Sequence, residues 1–408
     1  MSCFLSLASG RGTTPKRMLL ASFIIAIFTQ CGSPENQITT QGLPYTIKVA
    51  EAYQQGAEVP LSQFAESIEY IPLETTEGSL IGNNASFYLF GDYIISIAFR
   101  QVYLFDRKSG AFIKELKRYG QGPDEYSNTQ PNIHIDEERG VVYLKDNRNV
   151  SLGLNVKGET SLSFKTPQGA GAYIMGYAQL NDDLFVGFQA NPVCEEKVKL
   201  MIFNKNGEVV KTFANHLQCE QDDLGSISFD SSEGAFYRWN GQVGFKESYN
   251  DTLFMVSPDS LSSKAVFKSG KYGIAYKDKK RMGMEAGKDY HLITDLDETV
   301  DHLFFQLYFR EKMHSGLYNK TTGETRVVRS DKSEINGFYN DLDNFLPFRL
   351  KYATDNLQGV GFVEAPDVIT WLEANPEKAK ALPARLKPLS KLKEDDNPVV
   401  MVIKFKPK

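Results

Sequence analysis

The sequence lacks the short motifs that mark the commonest catalytic and metal sites. It contains no Walker loop, no Gly-x-Ser-x-Gly nucleophile elbow and no His-Glu-x-x-His pair. Its five histidines are scattered, and no Cys-x-x-Cys or Cys/His spacing suggests zinc. We therefore predict no catalytic residue, metal ligand or cofactor from local motifs. An active site built from residues remote in sequence stays open, because such residues can converge in a folded chain.

The chain also lacks an excess of charge of either sign. Its 46 Lys and Arg residues against 51 Asp and Glu give a formal charge of −5. Residues 1–30 carry Arg11, Lys16 and Arg17 and no acidic residue, so the chain from Cys31 onward has a charge of −8. A mildly acidic, well-mixed surface gives no reason to expect a nucleic-acid partner. We expect a monomer whose partner is an unidentified peptide, glycan or protein.

The longest apolar run, Met18 to Phe28, is too short for a permanent transmembrane helix. Because basic residues precede it, the run is typical of the apolar region of a secretory signal peptide. Residues 1–30 are predicted to be this signal, and the true start, Met1 or Met18, stays open. The polar segment that follows, up to residue 60, is predicted to be a flexible tether.

The signal ends in Phe28-Thr29-Gln30-Cys31-Gly32-Ser33, which resembles a bacterial lipobox. Phe28 stands where Leu is usual, and Gln30 where a small residue is usual. The resemblance implies that Cys31 is the lipidated first residue of the mature chain, and that only the lipid contacts the membrane. The expected location is the cell envelope, at the outer membrane, facing either the periplasm or the outside. A plain secretory signal is the alternative.

Two further cysteines, Cys194 and Cys219, flank a predicted hairpin formed by Val198–Phe203 and Val209–Phe213. Both lie beyond the open end of this hairpin. In an oxidising compartment this placement favours a disulfide over two separate thiols.

Short alternating runs separated by turn residues recur along the chain, and one complete unit lies between Tyr119 and Gly158. It contains a Gly-Pro turn, the runs Ile133–Ile135 and Val141–Leu144, and a third strand ending in Lys157-Gly158. Such period-two runs are antiparallel strands joined by hairpins. The unit is predicted to be one blade of a β-propeller.

The residues of this unit, from Gly120-x-Gly-Pro-x-Glu-Tyr126 through Pro131–Asp136 to Val142–Arg148, resemble an NHL-type propeller repeat. From about Leu61 the chain resembles the six-bladed β-propeller lipoproteins of Gram-negative anaerobes. The resemblance implies an all-β fold of six four-stranded antiparallel blades, but little chemistry. Lys145 replaces a small residue before Asp146, which puts an inherited ligand contact there in doubt.

The propeller is predicted to span residues 61–408. The strand Ile68–Leu73 has no sequential partner, so we predict that it completes the C-terminal blade and closes the ring. The blades are predicted at residues 86–116, 119–158, 174–213, 227–267, 303–328, and 337–364 with 398–405.

Two insertions interrupt this pattern. Lys271–Asp289 is basic, with Lys277, Lys279, Lys280 and Arg281, and is predicted to be a solvated loop; an anionic partner is the alternative. The segment 366–392 is predicted to be helical, with Trp371 packing it on the sixth blade and a lid over the channel as the alternative.

Candidate binding residues lie in the second blade: His134, Asp136, Asp146 and Arg148. Buried hydrogen bonds within turns are the commoner use of such residues. Acidic clusters elsewhere are predicted to be surface turns and not calcium sites. These are Asp124-Glu125, Asp295 with Asp297, Glu298 and Asp301, and Asp341 with Asp343.

Two functions remain. The first is a lipid-tethered binding or scaffold module whose rigid ring presents loops or an axial pocket to a peptide, glycan or protein. The second is a hydrolase or lyase with an axial metal, which rests on fold analogy alone. Because no ligand set is recognisable, we favour binding.

Overall fold

The recurrent strands form six sheets arranged as the blades of a ring. The computed structural model describes residues 42–122, 125–127, 135–136, 139–145, 150–168, 174–191, 194–219, 233–279, 286–330, 336–354 and 357–407. They all belong to the compact unit Thr39–Lys408. None of the helices in these ranges is long and apolar enough to cross a membrane.

Two strands precede the first blade: β1 (Tyr45–Ile47) and β2 (Ala65–Pro72). Blade 1 contains β3 (Ser86–Phe90), β4 (Tyr93–Ala98), β5 (Gln101–Asp106) and β6 (Phe112–Glu115). Blade 2 contains β7 (Ile135–Asp136), β8 (Val141–Lys145), β9 (Val150–Leu154) and β10 (Thr160–Lys165). Blade 3 contains β11 (Ile174–Gln179), β12 (Leu184–Gln189), β13 (Val198–Asn204) and β14 (Val209–Ala214).

Blade 4 contains β15 (Gly234–Trp239), β16 (Gln242–Glu247), β17 (Thr252–Val256) and β18 (Leu261–Phe267). Blade 5 contains β19 (Leu292–Glu298), β20 (His302–Phe309), β21 (Lys312–Asn319) and β22 (Thr325–Val328). Blade 6 contains β23 (Tyr352–Ala353), β24 (Gln358–Val363) and β25 (Val399–Phe405). The predicted fold, six antiparallel four-stranded blades, is confirmed.

The ring is closed by β2, which pairs antiparallel with β25 along its whole length, from Ala65 opposite Phe405 to Pro72 opposite Val399. It supplies the outer strand of blade 6, as predicted. A strand from the start of the propeller thus hydrogen-bonds to one from its end, which covers the outer edge of β25 and joins blade 1 to blade 6.

Large side chains fill the spaces between neighbouring sheets. Phe164 of blade 2 stacks on Phe185 of blade 3, with ring centroids 3.9 Å apart. Phe267 of blade 4 meets Phe305 of blade 5 edge to face at 5.5 Å. Large flat aromatic rings fill the space between twisted sheets that pack face to face.

The segment predicted to be a tether is docked on the propeller from Tyr45 onward. Strand β1 pairs in parallel with β18, and helix α1 (Val49–Gln55) buries Val49 and Tyr53. Tyr53 packs edge to face against Phe309 at 5.1 Å. This differs from the flexible chain predicted for residues 31–60, because the apolar residues of 45–55 cover the outer edge of blade 4 and part of blade 5.

The connection between β18 and β19 also differs from the prediction of a solvated loop. It contains short 3-10 turns at Gly270–Tyr272 and Tyr276–Asp278 and helix α2 (Ala286–Asp289). Lys279 is 3% exposed and forms an ion pair with Glu233. A buried pair fixes this segment, so Lys279 does not belong to an exposed basic patch. Lys280 and Arg281 lie outside the described residues.

The predicted helical insertion is present between β24 and β25. It comprises α3 (Ala365–Ala374), α4 (Pro376–Ala381) and a 3-10 segment, Ala384–Lys391. Trp371 packs perpendicular to Phe345 at 4.7 Å, next to the core of blade 6.

Cys194 and Cys219 form a disulfide, with Cα atoms 5.3 Å apart. The bond ties the connection between β12 and β13 to the chain that leaves β14, at the open end of the hairpin. The disulfide favoured by the sequence is therefore present.

A buried histidine lies under helix α1. His291 is 3% exposed, and neither of its ring nitrogens has a hydrogen-bond partner among the described residues. Its ring stacks on Tyr272 with centroids 4.8 Å apart, and meets Phe309 and Tyr53 edge to face. Burial, with the neighbouring His314 as a second cause, lowers the pKa of His291 to about 4. The His291 imidazole is therefore neutral in the folded protein at neutral pH.

Acidification should destabilise the protein through His291. The unfolded chain takes up a proton there near pH 6.5, whereas the folded chain does so only near pH 4, so stability falls as the pH drops between these values. We expect His291→Phe to remove about 2 kcal/mol of the loss in unfolding free energy between pH 7 and pH 5, measured by urea unfolding. His216→Phe, at an exposed histidine, is the control. Equal pH dependence in wild type and His291→Phe would contradict this role.

Candidate binding site at the propeller axis

The first strand of each blade lies at the inner edge of its sheet. The first strands of neighbouring blades contact one another, β11 with β15, β15 with β19, and β19 with β23. Because adjacent strands are antiparallel, connections between blades and those between second and third strands share one face of the ring. We call it the insertion face, since both insertions emerge there.

Side chains from blades 5, 6 and 1 come together at this inner edge. They form what we call the axial cluster: Tyr88 of β3, Asp295 and Asp297 of β19, and Arg349 and Lys351, which lead into β23. The Lys351 Nζ lies 3.4 Å from the Asp295 Oδ2, across the boundary between blades 6 and 5. Both side chains are partly exposed, at 29% and 46%. Tyr88 meets Tyr352 edge to face, with centroids 5.4 Å apart.

A β-bulge positions the two aspartates. The register between β19 and β20 shifts between Ile293 and Leu296, so β19 has one extra residue there. A bulge redirects neighbouring side chains and breaks the alternation of a strand. The surface turn predicted at Asp295, Asp297 and Glu298 is therefore wrong: these residues form the inner strand of blade 5, and both Asp297 and Glu298 are buried.

Asp295 and Asp297 lie in different environments: Asp297 is buried, whereas Asp295 is partly exposed and lies beside Lys351. Burial raises the pKa of Asp297 well above its usual value, Asp295 raises it further, and the Ala353 N–H partly opposes the shift. The pKa of Tyr88 is raised to about 12, chiefly by burial; a hydrogen bond with Ser86 opposes the shift, while Asp295 and Asp297 add to it. Burial thus favours the protonated form of Asp297 and the neutral form of Tyr88, whereas Asp295 lies beside the Lys351 ammonium.

The direct contacts of Arg349 differ from those of the buried lysines. The Lys246 ammonium donates a hydrogen bond to the Glu247 carbonyl at 2.7 Å. Lys199, Lys264 and Lys279 each form an ion pair with a buried glutamate. The Arg349 guanidinium is partly buried, and no hydrogen bond or ion pair joins it to any residue that the structure describes. Burial lowers its pKa, and the more distant charges of Asp295, Asp367 and Glu364 oppose this shift. A desolvated charge without a direct partner is costly, which makes it a candidate ligand contact.

Glu364, which precedes α3, brings the insertion near this cluster. Burial raises the pKa of Glu364, the neighbouring Asp367 raises it further, and Arg349 opposes the shift. The axial cluster and Glu364 therefore combine one guanidinium with carboxyl groups that differ in their tendency to ionise.

The candidate residues chosen from the sequence lie elsewhere or outside the described ranges. Asp136 ends β7 and is 8% exposed; it accepts hydrogen bonds from the Arg139 backbone N–H at 3.0 Å and from the Arg139 guanidinium at 2.6 Å. These are hydrogen bonds within a turn, the alternative role predicted for Asp136. His134, Asp146, Arg148 and Cys31 lie outside the described residues.

The other acidic clusters hold local structure. Asp341 accepts a hydrogen bond from the Ser62 backbone N–H at 2.8 Å, and Asp343 pairs with Arg385 at 2.8 Å. Glu125 accepts from the Gly122 N–H at 2.8 Å. Within the described ranges, no three His, Cys, Asp or Glu side chains are arranged to hold a metal ion.

A recess of about 410 Å³ lies at the outer rim, between the end of β2 and the turn after β5. Polar groups of Glu74 at this recess already have hydrogen-bond partners in the protein. The Glu74 carboxylate accepts a hydrogen bond from the Phe112 N–H at 2.8 Å, and the Glu74 backbone carbonyl accepts one from the Asn397 side-chain amide at 2.8 Å. The axial cluster is therefore the stronger candidate site.

These features define a six-bladed β-propeller with a mixed-charge cluster at its axis. Residues 44–404 match the family model described as "Domain of unknown function (DUF4934)", and the chain belongs to this family.

Two solved structures from Bacteroides are similar to the chain. One is a "Putative exported protein" from Bacteroides fragilis NCTC 9343, with 15% identity and a TM-score of 0.63, covering 86% of this chain and 98% of that chain. The other is a member of the duf4221 family from Bacteroides vulgatus ATCC 8482, with 10% identity, a TM-score of 0.48, and coverage of 84% and 97%. No curated protein gave a significant sequence match. The similarity at 15% identity concerns the fold.

Replacing Asp297 by Asn should stabilise the protein at neutral pH. The folded Asp297 carboxyl keeps its proton at pH values where the unfolded one is ionised, so stability falls as the pH rises above the unfolded pKa. Asn cannot ionise, so we expect the melting temperature to rise by a few degrees at pH 7 and to change little at pH 4. Asp295→Asn, on the same strand but paired with Lys351, is the control and should show no such gain. A lower melting temperature for Asp297→Asn at pH 7 would argue against a protonated Asp297.

Proposed function

We propose that this protein is a lipid-anchored propeller of the bacterial cell envelope that binds a peptide, glycan or protein group at its axial cluster. The lipobox-like segment ending in Cys31 and the NHL-like unit at Tyr119–Gly158 support its place among envelope lipoproteins. The name of the similar Bacteroides fragilis protein supports export. The outer membrane is the proposed site of anchoring.

One observation carries the binding function: the Arg349 guanidinium has no direct partner among the described residues, while each buried lysine of blades 3–5 forms an ion pair or a hydrogen bond. It lies where three blades meet and where side chains are partly exposed. Within the described part of the chain this partly buried charge has no direct contact, and a bound ligand would supply one.

The rest of the molecule suits a scaffold. Tyr88, Asp295 and Asp297 lie on the inner strands of blades 1 and 5, and Arg349 and Lys351 immediately precede the inner strand of blade 6. Ring closure by β2 fixes blade 6 beside blade 1. A site on rigid strands loses little conformational entropy when a ligand binds.

The lipid anchor can be tested at Cys31. We expect Cys31→Ala to abolish incorporation of labelled palmitate in a bacterial host and to release the protein from the membrane fraction, because the thioether-linked diacylglycerol cannot form. Cys3→Ala, in the same leader, is the matched control and should keep both properties. Unchanged labelling of Cys31→Ala would place the lipid on another residue, and no labelling of the wild type would leave a plain secretory signal.

Axial binding can be tested with the labelled full chain on glycan and peptide arrays. Ligands retained by the wild type should bind Lys351→Met at least several-fold more weakly, since Lys351 holds Asp295 at the cluster. Lys404→Met is matched, because Lys404 pairs with Glu66 at 3.0 Å on the outer strands. Equal retention by both variants would place binding elsewhere on the protein, and no retained ligand on either array would argue against a binding module.

A further inference from the structure

The charges around Arg349 restrict the chemistry of a ligand, and this inference rests on the proposed axial binding function. Arginine presents a planar fork of N–H donors that matches a carboxylate, and such charge-assisted contacts are strong where water is partly excluded. The guanidinium has no direct partner among the residues that the structure describes, so a ligand carboxylate could contact it without breaking an ion pair seen there.

The neighbouring groups disfavour two other ligand classes. A cationic group at Asp295 would lie beside the Lys351 ammonium, which is 3.4 Å from that carboxylate. A doubly charged phosphate would face the negative charges of Asp295 and Asp367, both of which act on Arg349. A carboxylate, with one negative charge, can pair with the guanidinium and is repelled less by these aspartates than a doubly charged phosphate is.

The remaining groups suit hydroxyls. Asp295 can accept hydrogen bonds and the Tyr88 hydroxyl can donate one. Asp297, whose pKa is raised by burial, adds a second carboxyl group to these two. Tyr88 and Tyr352, perpendicular at 5.4 Å, place partly exposed aromatic surface beside these polar groups. Aromatic walls with a few convergent polar groups are typical of pockets for small polar ligands.

We propose that the axial cluster binds a sugar acid, a uronic-acid residue of a glycan, whose carboxylate contacts Arg349 and whose hydroxyls contact Asp295, Asp297 and Tyr88. An acidic peptide shares the carboxylate but has no ring of hydroxyls for these three side chains.

The test is calorimetric titration of the purified full chain with trisaccharides of galacturonate, glucuronate and mannuronate, each as the free acid and as the methyl ester. The ester keeps the ring and removes only the charge. We expect at least one acid to bind, its ester to bind at least tenfold more weakly, and Arg349→Gln to lose at least tenfold in affinity for the acid. Arg118→Gln, at an arginine that is 81% exposed, should bind as the wild type does.

Arg349→Lys guards against a folding defect, since it keeps the charge without the fork and should bind with intermediate affinity. Binding of none of the acids, equal binding of acid and ester, or wild-type affinity of a folded Arg349→Gln overturns the sugar-acid assignment. So does tighter binding of a pentaglutamate peptide than of every uronate.

The two proposals fail differently. If neutral glycans or peptides bind in a manner that depends on Lys351 while uronates do not bind, the sugar-acid assignment fails and axial binding stands. If uronates bind but neither Arg349→Gln nor Lys351→Met weakens them, both proposals fail.

Discussion

The antiparallel pairing of β2 with β25 is the contact on which the rest of the structure depends. Eight residues from the start of the propeller, Ala65–Pro72, complete the sheet that contains the last strand of the chain. Without this pairing blade 6 would lack its fourth strand, and the chain would not link it to blade 1. The axial cluster draws on blades 5, 6 and 1, so it forms only when the ring is closed.

Local patterning was sufficient to predict most of the fold. Alternating runs and turn residues predicted four of the six blades nearly complete, and the unpaired strand at Ile68–Leu73 indicated closure. The outer strand of blade 2, β10, lies beyond the predicted bounds of 119–158. The first strand of blade 5 was missed, because the bulge in β19 interrupts its alternation and its acidic residues imitate a surface turn. The docking of β1 and α1 was also missed, since three strand residues and a seven-residue helix leave too little periodicity in a polar segment.

The site could not be predicted from the sequence. Tyr88, Asp295 and Arg349 are far apart in the chain, and only the geometry of a closed ring brings them together. Arg349 lies in no recognisable motif; what distinguishes it is the absence of a direct partner among the described residues, which is a property of three-dimensional packing. Conversely, Asp136 lies in a recognisable repeat and was predicted as a candidate binding residue, yet its hydrogen bonds with Arg139 are those of a turn.

The pairing state of Arg349 is therefore the central claim, and a crystal structure at a resolution that shows ordered water tests it most directly. Grown without added ligand, the crystal should show the guanidinium contacted by water or a solute. After soaking with a uronate, density for a carboxylate should lie within hydrogen-bonding distance of its nitrogens. A guanidinium paired directly with Glu364 or Asp367 in the free protein would contradict the claim, because the charge would already be satisfied.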